Sequence, residues 1–200
     1  LKYGFVWDDH YLIEQNEQIR QPGAWVRAFY SSFWAIGESR DDVQRHFYRP
    51  LVTLSLALDR ALGGASPVQF HSTNVLLHGL CSVLAYALGI VGLRRAGAAF
   101  AAAVFFCAHP VHVENVCWIS GRTDILCALF YVLAVILFIR STQRPHRALL
   151  LEAGLLTAYV ASLLSKEMAL SLPLLLIGYY ALQDRRIHPW ERVIRPFGGL

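Results

Sequence analysis

Charge is what this sequence has least of. Only 16% of its 200 residues are Asp, Glu, Lys or Arg, against about 25% in an ordinary soluble domain. The hydrophobic share is 56% and the mean hydropathy +0.41. That balance excludes a disordered chain, a collagen and a nucleic-acid-binding tail. Cysteine is sparse. Cys81, Cys107, Cys117 and Cys127 form no C-x-x-C pair and sit in or beside apolar runs, so they read as small packing residues rather than a disulfide framework or zinc site. No signal-peptide pattern opens the chain, because its first apolar stretch is short and broken by Asp8 and Asp9. There is no 20–50-residue repeat and no low-complexity tract.

Long uncharged runs take their place. Residues 61–93 contain no Asp, Glu, Lys or Arg, and neither do 96–113, 125–139 and 168–183; residues 148–165 carry only Glu152. A helix needs about 20 apolar residues to cross a hydrocarbon core of roughly 30 Å. The expected fold class is an all-α polytopic membrane bundle. It has about five transmembrane helices, near 70–93, 96–113, 120–139, 148–165 and 167–183, in a module covering 70–200. Residues 1–69 read as an extracytoplasmic loop with interfacial helices: a short helix over 9–19 opened by an Asp, an aromatic-rich amphipathic stretch over 24–33, and a helix over 51–62 with Asp59 and Arg60 near its end.

Orientation follows from basic residues in short connections. By alternation, one side receives Arg94, Arg95, Arg140, Arg144, Arg147, Arg185, Arg186, Arg192 and Arg195; the other receives only Arg122 and Lys166. The arginine-rich side is expected to be cytoplasmic. The net charge of +4 is then largely a topology signal, and nucleic acid drops out as a partner.

On the opposite, outer face the polar residues collect: Asp8 and Asp9, Arg49, then His109, His112, Glu114, Arg122 and Asp124, then Lys166 and Glu167. His71, Asn74 and His78 follow at spacings of three and four, on one face of the first long helix. Each has a plainer reading: the acids as a helix cap and its solvated neighbour, the His–Asn stripe as helix–helix hydrogen bonding, the mixed charges as snorkelling residues or surface pairs, and Glu38, Asp41 and Asp42 as a solvated loop. Their gathering on one membrane face is what points to a site.

The segments Phe5-Val6-Trp7-Asp8-Asp9, Tyr48-Arg49-Pro50-Leu51, His71-x-x-Asn74-x-x-x-His78, His109-Pro110-Val111-His112-x-Glu114, Ser120-Gly121-Arg122-x-Asp124 and Ser165-Lys166-Glu167 together resemble the transmembrane and tetratricopeptide-repeat O-mannosyltransferases and their bacterial relatives. More distantly, the chain resembles other C-type glycosyltransferases. The resemblance implies a fragment, with a first transmembrane helix expected before Leu1 and further helices and a helical-repeat domain after Leu200. It implies transfer of a sugar, mannose or another hexose, from a polyprenyl-phosphate carrier to an acceptor hydroxyl, a protein Ser or Thr. The setting is the extracytoplasmic face of a bacterial inner membrane or the endoplasmic reticulum. The family's acidic motif maps to Asp8 and Asp9, either of which could be the catalytic base.

The chemistry fits these residue types. A hydroxyl needs a base to take its proton during attack, and the departing lipid phosphate needs cations, Arg as a bidentate fork and Lys as a point charge. Arg122 and Lys166, with Arg49 as a third, are the expected phosphate ligands. His78, His109, His112 and Asn74 are expected to orient phosphate or sugar, and Glu114, Asp124 and Glu167 to hold the cations in place. No cofactor or metal is expected, although Asp8, Asp9 and Glu114 have the oxygen donors a divalent ion takes. A transporter is the less favoured alternative, because its charges should run through the membrane's depth; a non-catalytic scaffold for a repeat domain is the other. The enzyme reading requires the N-terminal acids and the cations of two distant hairpins to meet at one place.

Overall fold

The computed structural model describes residues 4–21, 23–34 and 47–183. Four of the counted arginines (Arg185, Arg186, Arg192, Arg195) and the acids Glu38, Asp41 and Asp42 lie outside those residues. Among the described residues no strand forms. The helices are α1 (Ala24–Arg27), α2 (Pro50–Gly63), α3 (Pro67–Leu93), α4 (Ala96–Ala108), α5 (Val113–Cys117), α6 (Arg122–Gln143), α7 (Ala148–Leu163) and α8 (Leu172–Gln183). Pro50 and Pro67 start α2 and α3, where a missing N–H costs nothing and the fixed φ suits a helix. Gly64 ends α2 at a φ of 65°.

The bundle is a row of hairpins: α3 packs against α4 and α6, and α6 against α7. Lipid gives no hydrophobic drive for such contacts, so small and hydroxyl-bearing residues are needed where backbones approach. They are found there. A Cβ on Gly89 of α3 would lie 2.8 Å from the Ala99 Cβ of α4. Ala134 and Ala158 are buried in one cluster, and the Ser162 hydroxyl donates to the Cys127 carbonyl at 2.9 Å. The outward faces stay apolar, with Leu76, Leu80 and Val83 of α3 and Phe100, Val104 and Phe105 of α4 exposed. Apolar surface of that extent calls for lipid or protein cover.

The span count falls short of the expected five. Among the described residues, two helices are long and apolar enough to cross a membrane: Pro67–Leu93 and Ile119–Gln143. A third is reached if Ala96–Ala108 and Pro110–Cys117 count as one span bent by 46°. Pro110 explains the break, since it has no N–H to continue the helix and disfavours α geometry at His109. Helix α7, with 16 residues, is about 24 Å long at 1.5 Å per residue. The apolar stretch Glu167–Leu182 is also below spanning length.

The N-terminal segment caps one end of this row. Leu12, Ile13 and Ile19 pack with Val52 and Leu56 of α2, Phe70 of α3 and Ile119. The expected helix over 9–19 is instead a single π-helical turn, His10–Glu14, and a 3₁₀ turn, Glu17–Ile19. Asn16 between them caps the second, accepting from the Gln18 N–H at 2.9 Å. The aromatic stretch after it is helical only over Ala24–Arg27.

Candidate functional site

The polar residues expected at the outer face are gathered at one end of the bundle, in four groups. The first is a clasp. Asp9 is fully buried. Its Oδ1 accepts from the Ser120 N–H at 3.0 Å and the Ser120 hydroxyl at 2.8 Å, and its Oδ2 from the Val6 N–H at 3.2 Å. It makes no side-chain cap bond to the turn it precedes, so the expected capping role is replaced by a long-range one. Asp8 is half-buried. Its carbonyl accepts from the Tyr11 and Leu12 N–H groups, and its carboxylate has no partner among the described residues. Trp7, just before it, has a φ of 49°, a strained value for a bulky side chain. The Trp7 ring meets Trp118 edge to face at 6.0 Å.

The second group is internal. Arg122, the first residue of α6, has no solvent exposure. Its Nη2 lies 2.6 Å from Asp59 Oδ2 and donates to the Phe70 carbonyl at 2.9 Å. Its Nε donates to Asn74 Oδ1 at 2.7 Å, and its Nη1 to the Ser55 hydroxyl at 3.4 Å. Asp59 Oδ1 accepts from the Thr73 hydroxyl at 2.6 Å and the Gln69 amide at 3.3 Å. Buried charges are tolerated when paired and hydrogen-bonded in this way. Asp9 also lies within electrostatic range of Arg122. The guanidinium expected to grip a donor phosphate is therefore occupied: nearly all of its N–H groups serve protein acceptors, and it ties α6 to α2 and α3. Asn74 continues the network, its Nδ2 donating to the carbonyls of Asn115, Trp118 and Ile119 at 3.2–3.4 Å. Its amide thus holds α5 and the turn that leads into α6.

The third group is at the rim. Arg49, at the start of α2, makes a forked contact with Glu167, Nη2 to Oε1 at 2.8 Å and Nε to Oε2 at 3.3 Å. Its guanidinium carbon lies 4.9 Å and 5.4 Å from the Phe47 and Phe33 ring centroids. Lys166 Nζ meets Asp124 Oδ1 at 2.5 Å. The two cations thus take acids from different elements. The Leu51 N–H, donating to the Leu164 carbonyl at 3.3 Å, draws their two segments together. Glu167 and Asp124 remain partly open to solvent, while Arg49 and Lys166 are the more covered partners.

The fourth group is aromatic. His78 Nε2 is 3.1 Å from the Cys107 carbonyl, and its ring centroid is 5.1 Å from that of His112 and 5.6 Å from that of Phe106. His109 accepts from the Val111 N–H through Nδ1 at 3.2 Å. Glu114 is exposed. His71 is buried and its Nε2 has no partner among the described residues. No group of three His, Cys, Asp or Glu side chains among the described residues is placed to hold a metal ion; Asp8, Asp9 and Glu114 do not form one.

Asp59 and Ser120 are the site residues that sequence reasoning passed over. A signal for Asp59 existed: it is the lone acid of α2, following Val52 and Leu56 at helical spacing on the buried face.

Among the described residues, an all-helical fold with two or three helices long and apolar enough to cross a membrane, and a polar network at one end, fits a membrane protein. Comparison with known proteins narrows it further. The chain is 40% identical over 147 residues to protein O-mannosyl-transferase TMTC1 of Mus musculus, which covers 72% of this chain and 15% of that protein. It is 34% identical over 140 residues to protein O-mannosyl-transferase TMTC2 of Homo sapiens, covering 70% and 17%. It is 34% identical over 175 residues to protein O-mannosyl-transferase Tmtc2 of Drosophila melanogaster, covering 84% and 18%. The chain is thus homologous to one segment of the TMTC proteins and spans less than a fifth of their length. No family model and no solved structure matches it.

Proposed function

We propose that these residues form part of a membrane-embedded protein O-mannosyltransferase that takes its sugar from a polyprenyl-phosphate carrier at the extracytoplasmic face. The observation that carries this reading is the clasp between Asp9 and Ser120. It fastens the N-terminal acids to the bundle end that also presents Arg49 and Lys166, and the matched relatives are named as O-mannosyl-transferases.

In this reading the two acids divide the work. Asp9 is saturated by three protein donors and positions its neighbour. Asp8, with an unpartnered carboxylate, is the base. In the reaction the acceptor oxygen attacks the anomeric carbon while the bond from that carbon to the phosphate oxygen breaks. The hydroxyl proton passes to Asp8, and the lipid phosphate leaves as an anion. Lys166 and Arg49, released from Asp124 and Glu167, receive that charge as point charge and fork. Arg122 supports them from beneath as a positioning residue.

The test is sugar transfer by the full-length protein in proteoliposomes with a polyprenyl-phosphate mannose and an acceptor peptide, read by mass spectrometry. Asp8→Asn should lower transfer by about 10²–10⁴-fold with helicity unchanged. Transfer at the wild-type rate by Asp8→Asn would remove the proposed base. A non-catalytic scaffold is the second reading, favoured by the near-complete use of Asp9 and Arg122 in internal contacts. On that reading the wild-type protein itself transfers no sugar in this assay, and Asp8→Asn changes nothing.

A further inference from the structure

A cavity of about 580 Å³ lies away from the acidic clasp, between α2 and residues 19–21 and 23–25. Its walls are apolar on the α2 side (Leu54, Ala57, Leu58, Ala61) and carry Trp25 opposite. Two guanidinium groups border it, Arg20 and Arg60. Neither pairs with an acid among the described residues, and Arg60 Nη1 is buried without a hydrogen-bond partner. Unsatisfied buried donors are costly and uncommon. This one sits beside a space large enough for a ligand, with a second cation at the same wall. The acid next to it in sequence, Asp59, is committed to Arg122 on the other side of the helix.

The surroundings indicate what fills it. Leu58, Leu62 and Trp25 are exposed beside the cavity, as expected where a short amphipathic helix lies at a membrane boundary. A purely ionic ligand would leave the leucine and alanine wall unused, and a purely apolar one would leave the buried Arg60 Nη1 unmet. We infer that this cavity binds the phosphate headgroup of an anionic phospholipid from the surrounding leaflet, Arg20 and Arg60 taking the phosphate oxygens while the acyl chains run along Leu54, Leu58 and Trp25. The site is separate from the proposed donor site, because it lies on a different face of α2 from the residues that contact Arg122. It anchors α2, which carries Arg49 at its start and Asp59 near its end.

The experiment uses the full-length protein in nanodiscs of phosphatidylcholine with or without phosphatidylglycerol, with retained lipid counted by native mass spectrometry after transfer to detergent. The wild type should keep one phosphatidylglycerol in preference to phosphatidylcholine, and excess inorganic phosphate should not displace it. R20Q/R60Q should weaken retention by about tenfold or more, the loss expected when charge-assisted hydrogen bonds are removed. Ala61→Trp, which fills the cavity and keeps both charges, should do the same while circular dichroism stays unchanged. Equal retention by wild type and both variants would overturn the site. Displacement by inorganic phosphate would overturn its assignment to a lipid in favour of a free anion.

Discussion

At the residue scale, one contact decides how the polar end holds together. Arg122 and Asp59 are both buried, 2.6 Å apart and 63 positions apart in sequence. A pair of this kind adds little net stability when whole and costs much when halved, because the remaining charge is left in a low-dielectric site. Asp59→Leu alone should therefore destabilise the protein by about 3–5 kcal/mol, measured by denaturant titration in mild detergent. Adding Arg122→Met should restore most of that loss, because no unpaired charge then remains. A double variant no more stable than the single one would mean that Arg122's bonds to Asn74 and Phe70, rather than its charge pairing, hold the helices.

At the scale of elements, the chain between α4 and α6 is the part most dependent on close approach. A Cβ on Gly121 would lie 2.7 Å from the Asn115 Cα and 3.0 Å from its carbonyl oxygen, both backbone atoms that cannot rotate away. Gly121→Ala should push α5 off the start of α6, lengthen the Asn74 contacts and cost about 1–3 kcal/mol. Gly97→Ala in α4, where a Cβ meets nothing within 4 Å, should be neutral or stabilising by up to about 1 kcal/mol. The two unfolding curves, compared side by side, check the pair, and equal effects would count against the tight approach. This region also shows what the sequence carried and what it did not. The end of α3 at Leu93 and the start of α7 at Ala148 are legible because Arg94 and Arg147 bound the apolar runs there, whereas α6 runs through Arg140 to Gln143, past the expected end at 139. The His71–Asn74–His78 stripe was readable as a face turned towards protein. The bend after Ala108 was missed although Pro110 announced it, because an uninterrupted apolar run outweighed a single breaker. The partnership of Asp9 with Ser120 spans 111 positions, and no local period encodes it. Nor could composition reveal that Arg122 would be spent inside the protein, since an arginine at a helix start looks the same whether it faces a ligand or a buried acid.

At the scale of the molecule, the charge distribution and the packing describe the same axis. The connection from α3 to α4 carries Arg94 and Arg95, and that from α6 to α7 carries Arg144 and Arg147, with Arg140 in the last turn of α6. The clasp, the Arg122 network and the rim pairs all lie at the other end, built from the starts of α3 and α6 and the turn after α7. Short arginine-rich connections are retained on the cytoplasmic side during insertion, so the polar end should face away from the cytosol. Single cysteines in a background without the native four test this directly. Ser66→Cys, in the exposed turn between α2 and α3, and His146→Cys, in the exposed turn before α7, occupy the two ends. In sealed vesicles whose outer surface is the extracytoplasmic one, a membrane-impermeant maleimide should label Ser66→Cys at once, and His146→Cys only after the membrane is opened. The reverse pattern would put the acids and the rim cations on the cytosolic side, where a sugar carrier presented from the opposite leaflet could not reach them. Labelling of both positions without opening would mean that α3 and α6 do not cross the bilayer, which would remove the membrane frame on which the assignment of Asp8, Arg49 and Lys166 to one extracytoplasmic site depends.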